Sequence, residues 1–174
     1  MDKAVVLTGY MGAGKSSVAA ELGRILGAEV LDTDARIEEL EGMSISSIFK
    51  QYGEAYFRDK ETGLLEKLKE EGFCGILSTG GGMPLRSANR EFLRDLGCVF
   101  YLKASPAAIA RRLSEDDSRP LLAGAKDMAE KEKRIAAMLS EREAAYKDGA
   151  DIIVDTDELG VKECADFILR KLND

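Results

Sequence analysis

Histidine is absent from the 174 residues. No mechanism here can use an imidazole base or a histidine-ligated metal, so proton transfer is left to carboxylates, lysines and tyrosines. Cysteine is scarce and odd in number. Cys74, Cys98 and Cys164 are far apart and form no C-x-x-C, which excludes a disulfide framework and a cysteine metal cluster. Cys74 and Cys98 sit in apolar runs and are expected to be small buried hydrophobes. No apolar run approaches the roughly 20 residues that span a bilayer. Met1-Asp2-Lys3 passes directly into a strand pattern and leaves no room for a signal peptide, so a cytoplasmic location is expected. An excess of positive charge is also missing. With 25 Lys and Arg against 32 Asp and Glu, the formal net charge is −7, and no basic block stands out. Nucleic-acid binding depends on clustered basic groups and is not expected.

What is present is an alternation of strand and helix patterns. Strands are expected at Ala4 to Thr8, Glu29 to Leu31, Phe73 to Leu77, Cys98 to Leu102 and Asp151 to Val154. Helices are expected at Ser17 to Leu26, Ala35 to Leu40, Ser46 to Gln51, Tyr56 to Glu71 and Ser87 to Leu96. A further one opens at Ser105-Pro106, as an N-cap with proline in the first turn, and runs through Leu113. Asp127 to Lys147 and Glu158 to Leu172 complete the set. Short strands apolar on both faces and separated by helices imply an α/β fold with a parallel sheet covered on both sides. One domain over residues 1–174 follows, with an all-helical excursion at 33–71 and a polar, proline- and glycine-containing connection at 113–125. The second fits a lid that admits nucleotide and then excludes water.

Gly9-Tyr10-Met11-Gly12-Ala13-Gly14-Lys15-Ser16 matches the phosphate-binding pattern G-x-x-x-x-G-K-[ST], between a strand and a helix as that chemistry requires. Glycines let the loop wrap closely around phosphate oxygens, and the following helix adds partial positive charge. Lys15 supplies a full charge for the β- and γ-phosphates, and the Ser16 hydroxyl suits Mg²⁺. A nucleoside triphosphate ligand is expected.

A second constellation concerns the acceptor. Asp32 and Asp34 follow the second strand. Asp32 suits a water on Mg²⁺ and Asp34 suits a substrate hydroxyl, while either could instead cap the helix at Ala35. Arg58 neighbours Tyr56 and Phe57, and Glu61 at i+3 is placed to hold its guanidinium. An oriented arginine suits a carboxylate ligand through paired hydrogen bonds. Gly80-Gly81-Gly82 allows backbone N–H groups to approach a ligand that a side chain would obstruct.

Taken in order, the phosphate loop, Asp32-Thr33-Asp34, Phe57-Arg58 with Glu61, Thr79-Gly80-Gly81-Gly82, Arg119-Pro120-Leu121-Leu122, and Glu141-Arg142 with Tyr146 resemble the shikimate kinase family over nearly the whole chain. The resemblance implies a nucleoside monophosphate kinase-like fold with a five-stranded parallel sheet in the order 2-3-1-4-5. It implies transfer of the γ-phosphate of ATP, with Mg²⁺, to the 3-hydroxyl of shikimate, on the route to chorismate and the aromatic amino acids. By the same resemblance, Gly12, Ala13, Gly14, Lys15, Ser16 and Ser17 hold the ATP phosphates, Ser16 binds Mg²⁺, and Asp32 supports the metal through water. Asp34 contacts the shikimate hydroxyls as candidate base, Arg58 and Arg142 bind the carboxylate, and Gly81 lines the same pocket. Arg119 swings from the lid onto the phosphates and Arg112 stacks on adenine. A monomer is implied. Ser17, Ala19-Ala20 and Ser78 depart from the residues usual in the family without changing the expected function, and neither the alanine pair nor Ser78 is expected at a ligand contact. Lys15, Mg²⁺ and Arg119 would meet the charge of the transferring group, where positioning and electrostatics outweigh covalent participation. Other small-molecule phosphate-loop kinases, acting on gluconate or a nucleoside monophosphate, and a nucleotide-dependent switch without such catalysis, remain open on the residues alone.

Overall fold

The computed structural model describes residues 3–114 and 127–173. Of the expected lid at 113–125, only Leu113 and Ser114 fall inside them; Arg119 and the rest lie outside the described residues.

The strands are β1 (Ala4–Thr8), β2 (Val30–Asp32), β3 (Ile76–Ser78), β4 (Gly97–Lys103) and β5 (Ile152–Asp155). They form one sheet in the order β2-β3-β1-β4-β5, with every neighbouring pair parallel. This is the order that the resemblance implied. Helices α1 (Lys15–Leu26), α2 (Thr33–Glu41), α3 (Ile45–Glu70), α4 (Ser87–Leu96), α5 (Pro106–Ser114), α6 (Met128–Gly149) and α7 (Val161–Asn173) cover the sheet.

The alternation of side chains along β1 explains the two layers. Val5 and Leu7 join a core with Val18, Leu22, Ile109, Ile135 and Ile168, whereas Ala4 and Val6 join one with Ile37, Ile48, Leu65, Met83 and Leu93. A parallel sheet needs both faces covered, and a strand at its centre is therefore apolar throughout. All five residues of β1 are buried, while the edge strands β2 and β5 carry exposed positions.

Two local features differ from the sequence pattern and one, at Gly53, agrees with it. The phosphate-loop helix starts at Lys15 rather than Ser17, because Gly14 takes a left-handed conformation (φ 97°) that turns the chain directly into the helix. Gly53 (φ 85°, ψ 169°) interrupts the long helix α3 where the periodicity suggests a gap between two helices. Strand β3 starts at Ile76, which leaves Phe73 and Cys74 in the preceding connection. Cys74 is accordingly exposed and Cys98 only half-buried, against the expectation for both, and Cys164 is the buried thiol. An apolar run does not bury a residue that lies before the strand begins.

The packing of α1 onto the sheet sets where the phosphate loop ends. Leu22, fully buried on that helix, should cost about 2–5 kcal/mol when truncated to alanine. Thermal unfolding of Leu22→Ala should then fall by roughly 5–15 °C. A shift below about 2 °C would contradict the packing described.

Candidate active site

Three loops meet at the carboxyl ends of the strands, the expected position for ligands in an open α/β sheet. The loop after β1 carries positive φ at Gly9, Gly12 and Gly14. No side chain among the described residues caps α1 at Gly14, so its first-turn N–H groups are left for an anion. Lys15 folds back across the loop and donates from Nζ to the carbonyls of Gly9 (2.8 Å) and Tyr10 (3.0 Å). The ammonium is thereby held over the concavity that a phosphate would enter.

Asp32 uses its two carboxylate oxygens separately. Oδ1 accepts from the backbone N–H of Asp34 (3.1 Å) and Ala35 (3.2 Å), capping α2. Oδ2 accepts from the hydroxyls of Ser16 (3.3 Å) and Ser78 (3.0 Å). Asp32 pairs with Ser78 across β2 and β3, so the sheet register itself places this contact. Capping and orientation toward the phosphate loop, alternatives in the sequence, belong to one side chain. Ser78 corrects the sequence reading. It was expected to be remote from any ligand contact, yet it hydrogen-bonds the acidic residue nearest Ser16.

Asp34, two residues on, points to the other side. Its carboxylate lies so close to Gly80 that any Cβ there would collide with Asp34 Oδ1. Thr33, buried between the two acids, accepts the Gly80 N–H at 2.8 Å and locks the glycine loop against α2. Burial raises the Asp34 pKa first, and the nearby Asp32 charge raises it further. Lys15 and Arg58 act in the opposite direction. The group thus sits in the field of two cations, Lys15 of the phosphate loop and Arg58 of α3.

Arg58 donates to Glu61 Oε2 (2.8 Å) and to Glu54 Oε1 (2.9 Å from Nη2), one helical turn to either side of it. A Cβ on Gly82 would strike its guanidinium. The triple glycine therefore serves close packing. None of its members takes a positive φ; Gly80 makes room for Asp34 and Gly82 for Arg58. Gly81 contributes its carbonyl, which accepts from the Tyr146 hydroxyl at 2.6 Å. Glu61 is fully buried, and its Oε1 is the one buried side-chain polar atom without a hydrogen-bond partner among the described residues. Burial pushes its pKa up to about 7 despite the Arg58 charge.

Arg142, from α6, lies over the ring of Tyr10, with Cζ 5.7 Å from the ring centroid. It also flanks Tyr146, whose pKa burial raises to about 12. Arg112 bridges two segments, donating to the Gly12 carbonyl (3.4 Å), the Thr156 hydroxyl (3.1 Å) and the Thr156 carbonyl. Tyr10, Thr33 and Thr156 carry no site signal in the sequence, since each acts through a contact that only the fold creates.

A cleft of about 660 Å³ brings together Gly12, Ala13, Gly14, Lys15, Ser16, Ser17, Asp32, Asp34, Gly81 and Arg112. Arg58 and Arg142 are not in its lining; they lie against Gly82 and Tyr10 respectively. The volume is in the range of small-molecule sites.

A family model described as shikimate kinase matches residues 11–173. The chain belongs to the shikimate kinase family. It is 40% identical over 171 residues to a shikimate kinase of Bacillus cytotoxicus, covering 98% of this chain and 99% of the relative. The structure is similar to that of shikimate kinase from Acinetobacter baumannii in complex with shikimate, with a TM-score of 0.86 and 34% identity over 98% of this chain and 93% of that one. Shikimate kinase from Bacteroides thetaiotaomicron superposes with a TM-score of 0.88 at 31% identity, covering 99% of both chains. As a member of this family the chain is an ATP-dependent phosphotransferase.

The glycine packing predicts a split between two variants. Gly80→Ala displaces Asp34 and should lower kcat by about tenfold or more, whereas Gly82→Ala displaces Arg58 and should raise the acceptor KM by a similar factor, given the cost of small misplacements. Steady-state kinetics with both constants near wild type would contradict this.

Glu61 predicts a pH dependence of stability. Its folded pKa is raised from 4.5 to about 7, so the fold favours the protonated form. The stability this contributes is complete below pH 4.5 and lost as pH rises through about 7. Glu61→Gln does not titrate. Its melting temperature relative to wild type should therefore improve between pH 5 and pH 8, and a constant difference would contradict the assignment.

Proposed function

We propose that this protein transfers the γ-phosphate of ATP to the 3-hydroxyl of shikimate, giving shikimate 3-phosphate and ADP, as a step toward chorismate and the aromatic amino acids. The observation that carries this reading is the meeting of three loops on Asp34: the phosphate loop with Lys15, the glycine run after β3, and the helical segment that presents Arg58. Shikimate bound to the Acinetobacter baumannii relative supports the acceptor.

On this reading the triphosphate lies along Gly12 to Ser17, against the N–H groups at the start of α1, with Lys15 turning from its own loop carbonyls to the phosphates. The candidate metal-side groups, the Ser16 hydroxyl and the Asp32 carboxylate, are oxygen donors. Ser16 would hold Mg²⁺ directly and Asp32 through water. No cluster of acidic, cysteine or histidine side chains among the described residues could cage an ion on its own. That fits Mg²⁺, which keeps several waters and shares itself with substrate phosphates. When bound, the ion offsets charge on the β- and γ-phosphate oxygens.

Asp34 orients the acceptor hydroxyl toward the γ-phosphate and takes its proton as the bond forms. Its raised pKa makes it a stronger proton acceptor than an ordinary carboxylate, and a loose transition state lets the proton leave late. Arg58 and Arg142 receive the carboxylate. Arg112, fixed by Thr156 and Gly12, offers its guanidinium face to the adenine, and Arg119, outside the described residues, would supply a charge for the phosphates. The protein acts as a monomer in the cytoplasm in this account, and among the described residues no helix is long and apolar enough to cross a membrane.

Asp34→Asn should lower kcat about 100-fold or more while Mg-ATP affinity stays within about twofold. Arg142→Lys should raise the shikimate KM about tenfold, because a point charge cannot reproduce the paired hydrogen bonds. Steady-state rates with a coupled ADP readout check both. Near-normal turnover in the first removes Asp34 from the chemistry, and an unchanged KM in the second removes Arg142 from the carboxylate.

A further inference from the structure

The two carboxylate-facing arginines are held in opposite ways. Arg58 is clamped by two carboxylates, so much of its charge is already answered within the protein. Arg142 has no carboxylate within ion-pair distance among the described residues. Its neighbours are the ring face of Tyr10 and the side chain of Tyr146. Tyr10 is the first variable residue of the phosphate loop, and nothing in the phosphate pattern requires an aromatic there.

The Tyr10 ring is itself fixed. Its side chain is buried, at 3% exposure, and its hydroxyl donates to Met138 Sδ at 3.2 Å, one helical turn before Arg142 on the same helix. The backbone carbonyl of Tyr10 accepts from Lys15. Desolvation raises the hydroxyl's pKa, and the Arg142 charge works against that rise, in keeping with the two groups facing each other.

A guanidinium lying over an aromatic face is attracted by the ring quadrupole without spending its N–H donors. A carboxylate in the same place would also orient the arginine, but it would neutralise the charge and occupy the fork that a ligand carboxylate needs. We infer that Tyr10 is a positioning residue for the acceptor: its ring face holds Arg142 in the orientation that receives the substrate carboxylate while leaving the charge unspent. The inference rests on the carboxylate role given to Arg142 above.

The test uses the full chain and shikimate as titrant, by isothermal titration calorimetry, with Mg-ATP kinetics in parallel. Tyr10→Phe keeps the ring and loses the hydroxyl, and should bind shikimate within about twofold of wild type. Placing 3,4,5-trifluorophenylalanine at position 10 keeps the shape but drains the ring face. It should raise the shikimate Kd about three- to fivefold, with kcat and the Mg-ATP KM unchanged, from the usual strength of such contacts. Tyr10→Leu should raise the Kd about fivefold or more; if that variant does not fold, the fluorinated chain carries the test. A fluorinated variant with wild-type shikimate affinity, beside an Arg142→Ala variant that binds poorly, would overturn the inference and leave the carboxylate role standing. Wild-type affinity in Arg142→Ala would overturn both. Equal losses of Mg-ATP and shikimate affinity on fluorination would mark a general loop defect and also overturn it.

Discussion

The Asp32 carboxylate is the contact on which the rest of the site depends. It receives hydrogen bonds from four donors on three elements: Ser16 of α1, Ser78 of β3, and the first-turn N–H groups of Asp34 and Ala35 in α2. A carboxylate that accepts several hydrogen bonds is fixed in place. Its position follows from the register of two short parallel strands. Once Asp32 is set, the direction of α2 is set. Asp34 is thereby carried against Gly80, while Thr33 between the two acids ties the glycine loop to the same helix. One side chain so aligns the nucleotide end of the cleft with the acceptor end.

The second constraint is charge. An acidic chain of net charge −7 has to hold two anionic ligands side by side, so it must present its few useful cations with their charge available. The structure does this with different partners at each place. Lys15 rests on backbone carbonyls, Arg112 on carbonyls and a hydroxyl, and Arg142 on an aromatic face. These partners orient a cation without cancelling it. Arg58 is the exception, and its partner Glu61 is buried with one oxygen unpaired and a pKa raised to about 7, so the answering charge there is weakened by its own surroundings.

Much of this was legible in the sequence where the chemistry is local. The phosphate loop is contiguous, its glycines and lysine have fixed spacing, and the apolar strand before it points to a central parallel strand. Arg58 and Glu61 are one helical turn apart, so their pairing could be read from the spacing. What could not be read depends on contacts between distant segments. The sequence reads the triple glycine as room for backbone approach to a ligand; the fold shows in addition that two of its members yield space to Asp34 and Arg58, some 46 and 24 residues away by numbering. Ser78 looked incidental until the pairing of β2 with β3 placed it on Asp32. Tyr10 occupied a position of the motif where any residue is allowed, and only the docking of α6 shows what its ring touches. Cys74 misled because burial follows the place where a strand begins, and that boundary lay three residues later than the apolar run suggested.

The central claim is that these groups deliver a phosphoryl group to one hydroxyl of a carboxylated acceptor. Phosphorus NMR of the products formed from Mg-ATP with shikimate, and with gluconate or no acceptor as comparisons, tests it most directly. The account predicts ADP together with a new phosphate monoester whose proton coupling maps to carbon 3 of shikimate, and negligible turnover in the comparisons. Inorganic phosphate as the sole product, or equal consumption of ATP with gluconate, would contradict it.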